Sequence, residues 1–105
     1  MATYLRRNAT FHLSEDRLDR VVFIATEIGY GNVIKEKLYH DETRGTFWRQ
    51  LTDTGVLIVR TEDKNKVITL WLANINQAIE IYNGARLPQY VYNRILKNRK
   101  YEKMM

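Results

Sequence analysis

Tyr39-His40-Asp41-Glu42-Thr43-Arg44-Gly45 is the densest cluster of ionisable side chains in the body of the chain. A histidine titrates near neutral pH and can give or take a proton. Glu42 can serve as a base, and Arg44 can hold a phosphate by charge and forked hydrogen bonds. RNA cleavage needs a base for the 2′-hydroxyl, an acid for the leaving oxygen and a cation for the phosphorane. His40, Glu42 and Arg44 are residues of those types. The same three also suit a polar turn carrying a solvated histidine, and on the sequence both readings stand.

Other chemistries have less to work with. His12 is the other of two histidines, 28 residues before His40, and the two form no H-x-x-x-H pattern, so no metal site is expected. There is no cysteine, which removes disulfides, thiol catalysis and thiolate metal sites. No G-x-S-x-G and no phosphate-binding glycine loop occurs, and no cofactor is expected.

The elements that must position these groups follow from periodicity. Ser14 caps a first helix to about Gly29, with Leu18, Val21, Val22, Ala25 and Ile28 as its apolar stripe. Residues 1–13 read as extended. Val33 to Leu38 suits a short helix or an alternating strand, and the helix is preferred. Gly45 to Leu51, Val56 to Thr61 and Val67 to Ala73 are rich in β-branched and aromatic residues and read as strands. The breaks between them are too short for a crossover helix, so the strands form an antiparallel meander. Asn74 caps a helix with Ile75, Ala78, Ile79 and Tyr82 inward, and Gly84 closes it. Pro88 opens a last helix to about Lys103, with Val91, Ile95 and Leu96 inward. The expected fold is α+β, one domain over residues 1–105. It has a three- or four-stranded antiparallel sheet, an N-terminal helix packed on one face and a basic C-terminal helix.

Side chains alternate along a strand. Pairing Arg60 with Val67 in regular register would put Leu57, Val59, Ile68, Leu70 and Leu72 together beneath the helices. The opposite face would then carry Arg60, Thr69 and Trp71, with Trp48 beside them if the first strand turns Phe47 inward. Two indoles, an arginine and a hydroxyl suit base stacking and phosphate contact. They equally suit a cross-strand tryptophan pair under a covering segment, or a protein interface.

TGVLIVRT and KVITLWLA, joined by a short turn, resemble the central hairpin of the small ribonuclease-like fold. That group includes RelE/ParE-type toxins and colicin-type nuclease domains. The order of leading helix, antiparallel meander and basic helical end is similar too. The resemblance covers about Ser14 to Tyr82. It implies an RNA-facing sheet with Arg60, Thr69 and Trp71 on its surface and Arg44 or His40 at its edge.

Composition sets the outer bounds. The 105 residues are 45% apolar and allow one small core. The formal charge is +5, from 17 Lys and Arg against 12 Asp and Glu. Arg86, Arg94, Lys97, Arg99, Lys100 and Lys103 face only Glu102 in the last stretch, so the excess lies there. Arg94, Lys97, Arg99 and Lys100 are thus candidate nucleic-acid contacts. No run approaches the ~18 apolar residues of a membrane span, and a cytoplasmic protein is expected. RNA and a protein are the two candidate partners. A phage or conjugative-element accessory protein is a third, non-catalytic reading.

Overall fold

The computed structural model describes residues 15–104, with side chains over residues 19–101. The extended N-terminal segment, His12 and the Ser14 cap lie outside the described residues. Helix α1 runs Glu15–Phe23 and continues as one wider π turn, Ile24–Ile28. Gly29 stops it at φ +85°, a conformation that suits glycine, and its N–H reaches Ile24 O at 2.7 Å. Val21 and Ile24 are buried, whereas Val22, expected inward, is exposed.

Four strands follow: β1 Val33–Asp41, β2 Gly45–Thr52, β3 Val56–Thr61 and β4 Val67–Leu72. They pair antiparallel in sequence order. The fold is α+β, with a four-stranded meander. The short helix expected over Val33 to Leu38 is instead most of β1. Lys35, Lys37 and Tyr39 share one face there, and Glu36, Leu38 and His40 the other. Pairing of this nine-residue strand with β2 outweighs the weak helical preference of Lys-Glu-Lys-Leu. The lysine stems lie over aromatic rings, Lys35 above Tyr82 and Lys37 above Tyr39.

Each face of the sheet has its own core. On one, Phe47, Leu51, Leu57 and Val59 join Ala78, Ile81 and Tyr82 of α2 (Ile75–Tyr82) and Val91 and Ile95 of α3 (Gln89–Asn98). On the other, Val56, Ile58, Val67 and Leu70 join Val21 and Ile24 of α1. The expectation of a single apolar face is corrected at one point. Arg60 pairs with Val67, as read from the turn, but Val59 pairs with Thr69. Ile68 is therefore an extra residue in β4, a β-bulge. Beyond it the alternation is reversed. Leu70 and Leu72 turn toward α1, while Thr69 and Trp71 turn toward α2 and α3.

The helices after the sheet begin where their caps predict. The Asn74 side chain accepts from Gln77 N at 2.8 Å, and Gln77 Oε1 accepts from Asn74 N at 3.0 Å. This reciprocal box satisfies two N–H groups that the first turn leaves over. Asn83, at φ 48°, ends α2 one residue before the expected Gly84. Ile81, not Ile79, faces the core. In α3 Val91 and Ile95 are buried as expected and Leu96 is exposed. The α-helix gives way at Arg99 to a 3₁₀ turn, Arg99–Met104, before the expected Lys103.

The β2–β3 turn ties the ends of the chain to the sheet. Thr54 Oγ1 lies 2.9 Å from Gly29 O, and Asn98 Nδ2 donates to Thr54 O at 2.8 Å. Asp53 and Asn32 exchange two hydrogen bonds, Asp53 N to Asn32 O and Asn32 N to Asp53 Oδ1.

Candidate nucleic-acid interface

The reversal at Ile68 brings Thr69 and Trp71 beside Phe47 and Arg49 of β2 and Val59 of β3. These residues, with Ile68, Arg20 and Arg44, line a pocket of about 390 Å³. Its floor is apolar, since Phe47, Val59 and Ile68 are buried. Among the described residues its charged lining consists of arginines, one of which, Arg44, lies 3.9 Å from the Asp41 carboxylate.

Arg49 is the centre of the pocket. It stands between Phe47 and Leu51 on the core-facing side of β2, so its charge lies among rings. Its guanidinium carbon is 4.8 Å from the Tyr39 ring centre and 6.0 Å from those of Phe47 and Trp71. Such contacts favour the cation over a desolvated aromatic face. Tyr39 stacks on Phe47 with ring centres 5.6 Å apart and planes nearly parallel. Burial raises the Tyr39 phenol above its ordinary pKa, the Glu80 charge adds to this, and Arg49 pulls the other way. Arg49 Nε and Thr69 Oγ1 are both shielded from water and have no hydrogen-bond partner among the described residues. A buried donor left in that state costs about 1–3 kcal/mol. Trp71 is fixed, because its Nε1 donates to Gln77 Oε1 at 3.3 Å.

Arg60 and Trp48 share a face, as expected, and pair directly across β2 and β3, but that face lies away from this pocket. The expected single surface of Arg60, Thr69, Trp71 and Trp48 is therefore divided between the two faces. Arg60 and Trp48 are also occupied. Lys64 Nζ binds Glu36 Oε2 at 2.6 Å, and Glu36 Oε1 accepts from Gln50 Nε2 at 2.9 Å. Gln50 Oε1 accepts from Arg60 Nε at 2.7 Å. Lys64 Nζ also lies 4.2 Å from the centre of the Trp48 ring, and Trp48 Nε1 donates to Glu62 O at 2.9 Å. Hydrogen bonds from Lys64 and Gln50 hold the Glu36 carboxyl below its ordinary pKa. This network makes the Trp48 side of the sheet a finished surface.

His40, Glu42 and Arg44 do not converge. His40 is exposed and its Nδ1 lies 2.9 Å from Thr46 Oγ1, on the Trp48 side of the sheet. Glu42 is exposed and makes no hydrogen bond or ion pair among the described residues. Arg44 lines the pocket on the other side, with Nε 3.9 Å from Asp41 Oδ2. Asp41 accepts from the N–H groups of Thr43 and Arg44, which tightens the turn and lowers its pKa.

The basic end is more open. Lys97, Arg99 and Lys100 are exposed, and none is in an ion pair among the described residues. Lys100 Nζ sits 5.0 Å from the Tyr101 ring centre. Arg94 is half-buried and its Nε has no partner. Tyr90, Tyr92 and Leu96 lie exposed on the same helix.

Arg49, Gln77, Glu36 and Lys64 were not singled out from the sequence. For Arg49 a signal existed: once Phe47 is inward, alternation puts Arg49 inward too. Gln77 is visible as the third residue after the Asn74 cap, but its second partner, Trp71, depends on the bulge. Comparison with protein-family models, with curated proteins and with solved structures gives no match.

Proposed function

We propose that this protein is a small single-stranded RNA-binding module whose contact surface is the Arg44–Arg49–Thr69–Trp71 side of the sheet. The observation that carries this reading is the pocket lining, which brings together arginines, a hydroxyl unpartnered among the described residues and an indole held by Gln77. Arginine holds phosphate, and an indole stacks a base whatever its identity, worth ~1–3 kcal/mol per base. Lys97, Arg99 and Lys100 would add long-range attraction for a polyanion. The element order shared with ribonuclease-like toxins agrees with an RNA-facing sheet. Binding without cleavage is the better-supported form, because His40 lies on the face away from the pocket. An RNA ligand fits a cytoplasmic location. None of the helices in the described residues is long and apolar enough to cross a membrane.

A second reading, a protein-interaction module, is favoured by Tyr92 and Leu96, which lie four residues apart on α3 and are both exposed. The two are separated by titrating the purified protein with labelled single-stranded RNA at two salt concentrations, followed by a cleavage gel. The RNA reading expects affinity that falls as salt rises, loss of affinity in Arg44→Glu and intact RNA on the gel. No binding in low salt would leave the protein-interaction module. Cleavage lost in His40→Ala would restore an enzyme.

A further inference from the structure

We infer that the pocket reads a base, and that the base is guanine. The inference rests on the RNA-binding reading for its ligand class, but on different features of the pocket. The floor formed by Phe47, Val59 and Ile68 is buried and apolar, which suits the flat face of a base better than a phosphate. The volume of about 390 Å³ falls in the range of pockets that hold one small ligand. Trp71 forms a wall held in place by Gln77.

The polar groups then choose the base. Arg49 is pinned by rings, 4.8 Å from the Tyr39 centre, with the Tyr39 hydroxyl as a polar neighbour. Its Nε is without a partner, so one forked edge of the guanidinium is unclaimed. Two adjacent acceptors, O6 and N7, are what guanine offers to such a fork, whereas adenine puts a donor beside N7. Thr69 Oγ1, also without a partner, can donate to or accept from the same edge. A turn of the Arg49 side chain toward the pocket would present its fork to that edge. Arg44, exposed at the rim beside Asp41, is within the lining and would take the phosphate of that nucleotide.

The test uses the full chain and uridine oligonucleotides with one central guanosine, inosine, adenosine or 7-deazaguanosine, together with GMP alone. Guanosine and inosine should bind alike and roughly 5- to 150-fold more tightly than adenosine, the range of one forked base contact. The 7-deaza oligonucleotide should lose much of that preference, because it lacks N7. Arg49→Lys keeps the charge and should remove the preference while retaining salt-dependent binding. If Arg49→Lys does not fold, Thr69→Val decides, and it should reduce the preference. Equal affinity for all four oligonucleotides would overturn the base pocket and leave the RNA-binding reading standing. GMP binding without binding of any oligonucleotide would keep the pocket and discard that reading. Binding of neither would remove both.

Discussion

The Gln77 side chain holds the Trp71 indole and caps its own helix with the same atom. Oε1 accepts from Trp71 Nε1 at 3.3 Å and from the Asn74 backbone N–H at 3.0 Å. The start of α2 and the wall of the pocket are thus one unit. Gln77→Ala should lower stability by ~1 kcal/mol, the usual cost of losing a cap, and should free the indole. Gln77→Glu retains an acceptor for both donors and should spare both. Chemical denaturation gives the stability, and tryptophan fluorescence anisotropy in a Trp48→Phe background gives the indole mobility.

Leu57 and Leu70 test the two cores separately. Leu57 is fully buried on the α2–α3 side and Leu70 is 1% exposed on the α1 side. Leu57→Ala and Leu70→Ala should each cost ~2–5 kcal/mol. The two lie on opposite faces of paired strands, so the departure of the double variant from additivity in urea unfolding measures how far the sheet couples the two cores.

Gly55 is confined by the last helix. It has φ +82°, and a Cβ there would meet Asn98 Nδ2 at 2.8 Å and Ile95 Cγ1 at 3.3 Å. Gly55→Ala should destabilise by more than the ~1 kcal/mol that the backbone conformation alone imposes. Gly45 has nearly the same φ, +83°, and nothing within contact distance. Gly45→Ala should therefore cost only the backbone part. Thermal melts of the two variants measure the difference.

The Glu36 network predicts sensitivity to acid. Its carboxyl is held below the ordinary value of 4.5 by hydrogen bonds from Lys64 and Gln50. The folded state therefore binds this proton less readily than the unfolded chain. The stabilisation is present above about pH 4.5 and is lost as pH falls through the lower folded value. Glu36→Gln should flatten the stability profile on that acid side. Asp41 and Asp63 are also held low, by backbone and side-chain hydrogen bonds in their turns, so some slope should remain. Urea midpoints measured from neutral pH down to pH 3 would show the change.

Local chemistry told most of the fold. Asn74 and Gln77 mark a helix start with two reciprocal bonds, and Gly29 marks an end by its backbone freedom. The hairpins were legible because Asp53-Thr54-Gly55 and the Glu62–Lys66 turn leave no room for a crossover. Lys35-Glu36-Lys37-Leu38 was ambiguous because long charged stems serve a helix surface and a half-buried strand equally. β4 was harder. Val67 to Leu72 contains five apolar residues and one threonine, so neither phase of alternation is penalised by a misplaced charge. Its extra residue follows from pairing with β3 and from packing on both faces, which no local pattern reports. Arg60 and Trp48 were therefore read correctly onto one face, while Thr69 and Trp71 were put on the wrong side.

The bulge at Ile68 is a matter of parity. With regular pairing, Ile68, Leu70 and Leu72 would share the side that faces α2 and α3, and that side would be aliphatic. Thr69 and Trp71 would lie behind the sheet, near the Trp48 network, and Arg49 would have no indole opposite. One residue of unequal strand length therefore separates a sheet with an oily face from a sheet with a cationic, hydroxylated recess.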